Sequence, residues 1–121
     1  MEHDVIREAY RQFNERNVEA ALALMCEDVN WENALVGDRI RGRTELRKVW
    51  ALMWASMNVA VEAVRLYEED GRTVVVTRHV AREPGGFLIS EAEMEEVYTF
   101  RDGLIARMDI REIQTADGPK H

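Results

Sequence analysis

The sequence predicts an α+β fold in which a curved antiparallel sheet wraps around three N-terminal helices as a cone with an internal pocket. Three observations carry this expectation. Apolar residues recur at helical spacing in the first half of the chain, and from Val59 onward the pattern is that of strands. Turn sequences separate the strands: Glu69-Asp70-Gly71, Pro84-Gly85-Gly86 and Asp102-Gly103. Helices that precede an unbroken run of strands collect on one face of the sheet.

The first helix is expected from about Asp4 to Arg16, with Val5, Ile6, Ala9, Tyr10 and Phe13 on one stripe. Asn17 is a fitting N-cap for a short second helix carrying Ala21, Leu22 and Met25. Val29 to Glu32 reads as a short extended piece with Trp31 and Asn33 on one side, and Gly37 to Gly42 as loop. Thr44 can cap a third helix whose stripe is Leu46, Val49, Trp50, Met53 and Trp54. Four long antiparallel strands follow: Val59 to Glu68, Thr73 to Arg82, Phe87 to Phe100, and Leu104 to Ile113. The chain reads as one domain, residues 1–121, with an ordered core from about 4 to 114 and a polar tail from Thr115 to His121.

Composition narrows the function classes. Apolar residues make up 46% and charged residues 32%, which fits a soluble globular protein. A net charge of −7 with no basic cluster argues against nucleic acid and anionic membrane surfaces. There is no membrane-length apolar run and no signal-peptide pattern, and the single cysteine, Cys26, sits in an apolar segment as a core residue. Together these point to the cytoplasm. No Cys/His cluster has metal-ligand spacing and no glycine-rich loop has phosphate-binding context, so no cofactor is expected.

The strand before Asp102 is the most informative. Ala92, Met94, Glu96, Tyr98 and Phe100 share one face, and Glu91, Glu93, Glu95 and Thr99 the other. Glu96 breaks the apolar face, and a carboxylate there is costly unless it is paired or functional. The uncovered sheet face is expected to carry Val59, Val61, Val75, Val97 and Ile113, enough apolar surface to predict a homodimer packed sheet to sheet.

Four segments in this order resemble the SnoaL-like branch of the nuclear transport factor 2-like superfamily. They are Val5-Ile-Arg-Glu-Ala-Tyr-Arg-Gln-Phe-Asn14, Ala23-Leu-Met-Cys-Glu-Asp-Val-Asn-Trp31, Arg41-Gly-Arg-Thr-Glu-Leu46 and Val97-Tyr-Thr-Phe-Arg-Asp-Gly-Leu-Ile-Ala-Arg-Met108. The resemblance implies a cone that holds a small, largely apolar molecule, either with cofactor-independent acid/base chemistry or as a non-catalytic binding protein. In the ketosteroid isomerases of this superfamily a general base lies where Asn33 falls here, and Glu96 matches their oxyanion-hole acid. The helix-one tyrosine corresponds to Tyr10 only with a one-residue offset. In the limonene-type epoxide hydrolases the asparagine and arginine correspond to Asn33 and Arg78, but Val80 and Ile110 stand where the two acids should be. Polyketide cyclases use an acid in the cone, a role open to Glu96 or Glu112. The expected pocket residues are therefore Tyr10, Trp31, Asn33, Trp50, Trp54 and Arg78 on the helices and first strands. From the last two strands come Met94, Glu96, Tyr98, Met108, Ile110 and Glu112. Glu96 is the candidate catalytic group, ion-paired with Arg78. His79 is expected to face away from the cone.

Overall fold

The computed structural model describes residues 2–33 and 37–113. The polar tail expected from Thr115 lies outside the described residues. Helix α1 (Glu2–Asn14) opens with Glu2 and Asp4 in its first turn and ends with Arg11 in its last, each complementing the helix dipole. Arg16, in the left-handed region at φ 65°, closes it two residues short of the expected end. Helix α2 (Val18–Leu22) follows Asn17, but Asn17 makes no side-chain capping bond. Its amide turns back to donate to Gln12 Oε1 at 2.8 Å.

Met25, expected in the second helix, instead opens strand β1 (Met25–Glu32), and the stretch expected as loop contains strand β2 (Arg39–Arg41). Arg39 fixes this corner: it donates to Asn30 Oδ1 at 2.7 Å and to Asp109 Oδ1 at 2.9 Å. Helix α3 (Arg43–Ser56) starts after Gly42, so Thr44 lies inside the helix and does not cap it. Its predicted stripe faces the core, with Leu46 and Trp50 buried.

The four long strands are β3 (Asn58–Glu69), β4 (Arg72–Arg82), β5 (Leu88–Arg101) and β6 (Leu104–Arg111). Two tight turns join them as expected. Asp70-Gly71 has φ of 53° and 78°, and Asp102-Gly103 has 54° and 81°. Positive φ at both central residues is the hairpin geometry that Asp-Gly accommodates at little steric cost. The sheet order is β2-β1-β6-β5-β4-β3. The meander is antiparallel, and β1 adds to it in parallel beside β6. Register breaks at Ala63/Arg65, Ala81/Arg82 and Thr99/Phe100 lie along the long strands of the curved sheet.

Helix α1 packs against β3 and α2, and α3 against β1, β2 and β3. The core lies between these helices and the inner sheet face, centred on Ile6, Leu22, Leu46, Val75 and Ile105. Val59 and Val61 belong to this inner core and not to the outer face, because they pair with Ala81 and His79 on the inward side of the sheet. Val75 is inward too, opposite Glu96. Val97 does lie outward, opposite Val74 and Asp109. It is buried there, in a layer that also holds Val74 and the fully buried Glu95. Arg111 reaches Glu95 at 2.7 Å and Glu69 at 2.7 Å, and Tyr67 donates to Glu95 at 2.8 Å.

Candidate functional site

The mouth of the cone leads into a cavity of about 620 Å³. Tyr10 and Phe13 of α1, Trp31 of β1, and Val49, Trp50 and Met53 of α3 form the helix side and one end. Val59 and Val61 of β3, His79 and Ala81 of β4, and Ala92, Met94, Glu96 and Tyr98 of β5 form the sheet side. Asn33 stands at the rim after β1, where its backbone N–H donates to Asp38 O at 2.8 Å. The walls are mostly apolar, and aromatic edges follow one another around them. Tyr10 meets Tyr98 edge-on at 6.2 Å, Tyr98 meets Trp31 at 6.0 Å, Trp31 meets Trp50 at 5.9 Å, and Trp50 meets Phe13 at 5.1 Å.

The alternation in β5 places Glu96 inward as expected, where it is 3% exposed. Its partners differ from the expected one. Glu96 Oε1 accepts a short hydrogen bond from the Tyr10 hydroxyl. Tyr98 Oη lies 3.0 Å from the same oxygen and 2.8 Å from Tyr10 Oη, so its single proton is shared between them. Burial raises the pKa of both tyrosines well above the ordinary value, and the negative charge of Glu96 adds to the rise. The two phenols thus remain neutral donors to the carboxylate through the physiological range.

Arg78 is not in the cone. It pairs with Glu93, three residues from Glu96, and an odd offset puts the two side chains on opposite faces of the sheet. Arg78 instead binds Glu91 on the outer side, with Nε donating at 2.7 Å, and approaches Glu62 at 3.6 Å. The same parity turns His79 inward, against the sequence expectation. His79 Nε2 lies within ion-pair distance of Glu96 Oε2, at 3.2 Å, yet it is out of line for a hydrogen bond and has no hydrogen-bond partner.

Four further expected residues do not line the cavity. Trp54 backs the wall, packing on Phe13 at 4.7 Å. Met108 is buried in the core, and Ile110 packs against it from one side. Glu112 lies past the end of β6 and is exposed, because the strand stops at Arg111 before its alternation can carry the carboxylate inward. Apolar lining residues such as Phe13, Val49, Met53 and Ala92 were not expected there, and the titratable residue missed was His79. Counting alternate positions back from Glu96 would have found it only with the β4–β5 register in hand, and the five-residue connection between these strands does not set that register.

Among the described residues no group of three or more His, Cys, Asp or Glu side chains could hold a metal ion, and no helix is long and apolar enough to cross a membrane.

A curved six-stranded sheet against three N-terminal helices, with an aromatic-walled cavity between them, is the cone-shaped α+β fold typified by nuclear transport factor 2. The chain matches the SnoaL-like domain over residues 6–108 and belongs to that family. Solved structures share the fold at low identity. TerC, crystallised with polyporic acid, is 20% identical with a TM-score of 0.79, covering 93% of this chain and 91% of its own. A Mycobacterium tuberculosis protein in complex with estradiol-17β-hemisuccinate is 21% identical with a TM-score of 0.76, covering 94% and 93%. A Catenulispora acidiphila protein with a ketosteroid isomerase-like fold, in complex with trimethylamine, is 16% identical with a TM-score of 0.77, covering 88% and 83%. No curated protein matches the chain.

Proposed function

We propose that the cavity binds a small, largely apolar molecule, and that the chemistry done on it is cofactor-independent acid/base chemistry of isomerase, cyclase or hydrolase type, with Glu96 moving the proton. The observation that carries this is a cavity of about 620 Å³ whose mostly apolar wall is broken, deep inside, by Glu96, His79 and two tyrosine hydroxyls. The volume is that of a drug-sized ligand site, and such sites combine apolar walls with a few convergent polar groups. Ligands present in complexes of similarly folded proteins support the same reading. A proton-transfer group needs a position beside the open volume, and Glu96 has one.

One observation favours a second reading, non-catalytic binding. Glu96 Oε1 is already taken by Tyr10 and Tyr98, as in a carboxylate that holds a wall together. Equilibrium dialysis of phenanthrene tests binding, with Ala92→Trp as the control because Ala92 lines the cavity and has room beside it. Binding in the parent and its loss in a normally folded Ala92→Trp is the expected result; a parent that binds neither phenanthrene nor its 9-hydroxy and 9-methoxy derivatives overturns the proposal. If a turnover substrate is found, Glu96→Gln separates the readings, since acid/base chemistry loses about 10²–10⁴-fold in rate when its proton carrier is removed.

Self-association and a cytoplasmic location are part of the proposal. The single, buried Cys26 suits a reducing compartment. Self-association would cover the exposed Val64 and the apolar hairpin tip Phe87-Leu88-Ile89. A scattering mass of 14.0 kDa at micromolar concentration would remove it.

A further inference from the structure

Glu96 and His79 form a pair that the protein itself leaves incomplete. Oε1 of the carboxylate receives Tyr10 and Tyr98, while Oε2 faces His79 Nε2 at 3.2 Å without alignment. The nitrogen is sealed from solvent and has no hydrogen-bond partner. Its cross-strand neighbours, Val61 and Ala92, offer no side-chain donor or acceptor. The nearest polar group on the same strand face, the Thr77 hydroxyl, is spent on Met94 O at 3.0 Å. A partner for Nε2 therefore comes either from Glu96, after a turn of one of the two side chains, or from whatever fills the cavity.

We propose that the cavity's occupant carries a hydroxyl group on an otherwise apolar, ring-containing body, and that this hydroxyl bridges His79 Nε2 and Glu96 Oε2. The proposal rests on the binding reading above and adds the class of ligand: phenols and polycyclic alcohols. A hydroxyl both donates and accepts, so it accepts from the imidazole N–H while donating to the carboxylate. A ketone or ether only accepts and leaves the carboxylate oxygen unanswered, and a hydrocarbon answers neither group. Because Nε2 is sealed from solvent in this arrangement, binding in this way requires a turn of His79 or Glu96 that brings both atoms to the cavity surface. The body then lies along Phe13, Trp31, Trp50 and Met94, which offer aromatic faces, edges and a flexible thioether. His79 is in this account a specificity-determining residue, one that selects the polar end of the ligand.

Three probes differing only in the substituent at the 9-position test it: 9-phenanthrol, phenanthrene and 9-methoxyphenanthrene, measured by equilibrium dialysis against the full chain. The parent is expected to hold 9-phenanthrol about tenfold tighter than either other probe, the size of one well-made hydrogen bond. The preference runs against the greater hydrophobicity of phenanthrene, so partitioning alone cannot produce it. In His79→Leu the preference for 9-phenanthrol over phenanthrene disappears. If that variant does not fold, the ¹⁵N resonance of His79 Nε2 in the parent decides, because formation of a hydrogen bond shifts it much further with 9-phenanthrol than the mere presence of the ring does with phenanthrene, and equal shifts overturn the proposal. Equal binding of 9-phenanthrol and phenanthrene in the parent, or an unchanged preference in His79→Leu, overturns the hydroxyl proposal and leaves the binding reading standing. Failure of all three probes to bind removes both.

Discussion

Glu96 and His79 sit side by side with opposite energetic standing. Glu96 is buried but supplied with two phenol donors, whereas His79 Nε2 is buried and supplied with none. Removing a satisfied group and removing an orphan should therefore differ in sign. Tyr98→Phe takes one donor from Glu96 and is expected to cost about 1 kcal/mol in urea denaturation. His79→Leu removes an unanswered nitrogen and is expected to be neutral or stabilising, by up to about 1 kcal/mol. A clearly destabilised His79→Leu would mean that the imidazole does bond Glu96 in solution. The tyrosines make a second, pH-dependent difference. Tyr10 and Tyr98 are held well above the ordinary phenol value by burial and then by Glu96; Tyr67 is raised too, first by partial burial. A raised folded-state pKa means the native state keeps its proton where the unfolded chain has lost it. Their contribution to stability is complete below the unfolded value near pH 10 and is lost as pH climbs toward the folded values. Absorbance at 295 nm should show the three tyrosines titrating unequally, with Tyr67 first and the buried pair only as the protein unfolds. Simple titration of all three near pH 10 would contradict the buried network.

At the scale of elements, the question is how an open sheet protects its edge. Strand β3 ends the sheet, and Val61 is closed by a single side chain: Asn14 Nδ2 donates to Val61 O at 2.8 Å and Val61 N–H donates to Asn14 Oδ1 at 2.9 Å. The amide imitates a missing strand. Trp54 Nε1 adds a longer contact to Val59 O at 3.5 Å. Asn14→Ala should therefore cost about 2 kcal/mol, two side-chain hydrogen bonds, and leave the edge open to pairing with other chains. Thermal melting and light scattering check both effects. Arg111→Met on the outer face should cost about 3 kcal/mol, the low end for stripping a buried carboxylate of its charge partner, because Tyr67 still donates to Glu95. These interactions also mark what could be read from the sequence and what could not. The helices, the four long strands, both Asp-Gly turns and the inward side of β5 followed from local periodicity and turn chemistry. Strand β2 did not, because its one buried residue, Ile40, stands between two arginines and its place is fixed by Arg39 reaching across to Asp109. The parity of β4 did not either. Thr73-Val-Val-Val-Thr77 is buried on both faces, so alternation carries no signal there, and the sequence alone puts Arg78 and His79 on each other's sides.

For the whole molecule, the strongest statement about chemistry is an exclusion. A general base at the end of β1 would need a group that takes a proton, and the cavity rim there offers the amide of Asn33. The water-activating acids of an epoxide hydrolase are also missing from the cone. Val80 pairs with Glu91 on the side of Arg78, facing outward, and Ile110 packs against the core. Asp109 is turned outward too, held by Arg39 at 2.9 Å and by Arg107 at 2.9 Å, and this pairing keeps its carboxyl below the ordinary aspartate value despite partial burial. It is a fixed anion on the far face of the sheet, out of reach of a ligand in the cavity. Arg78, the remaining match to that mechanism, is spent on Glu91. The purified protein should therefore show no appreciable isomerisation of a 5-ene-3-keto steroid and no hydration of limonene epoxide, even if either compound binds. Absence of the proton-moving groups removes about 10²–10⁴-fold in rate on its own, before any loss of alignment. Turnover of either substrate that vanishes in Asn33→Ala would show the amide taking part and would overturn this account. Turnover that vanishes only in Glu96→Gln would instead make Glu96 the proton carrier, because it is the carboxylate that both lines the cavity and lies beside His79.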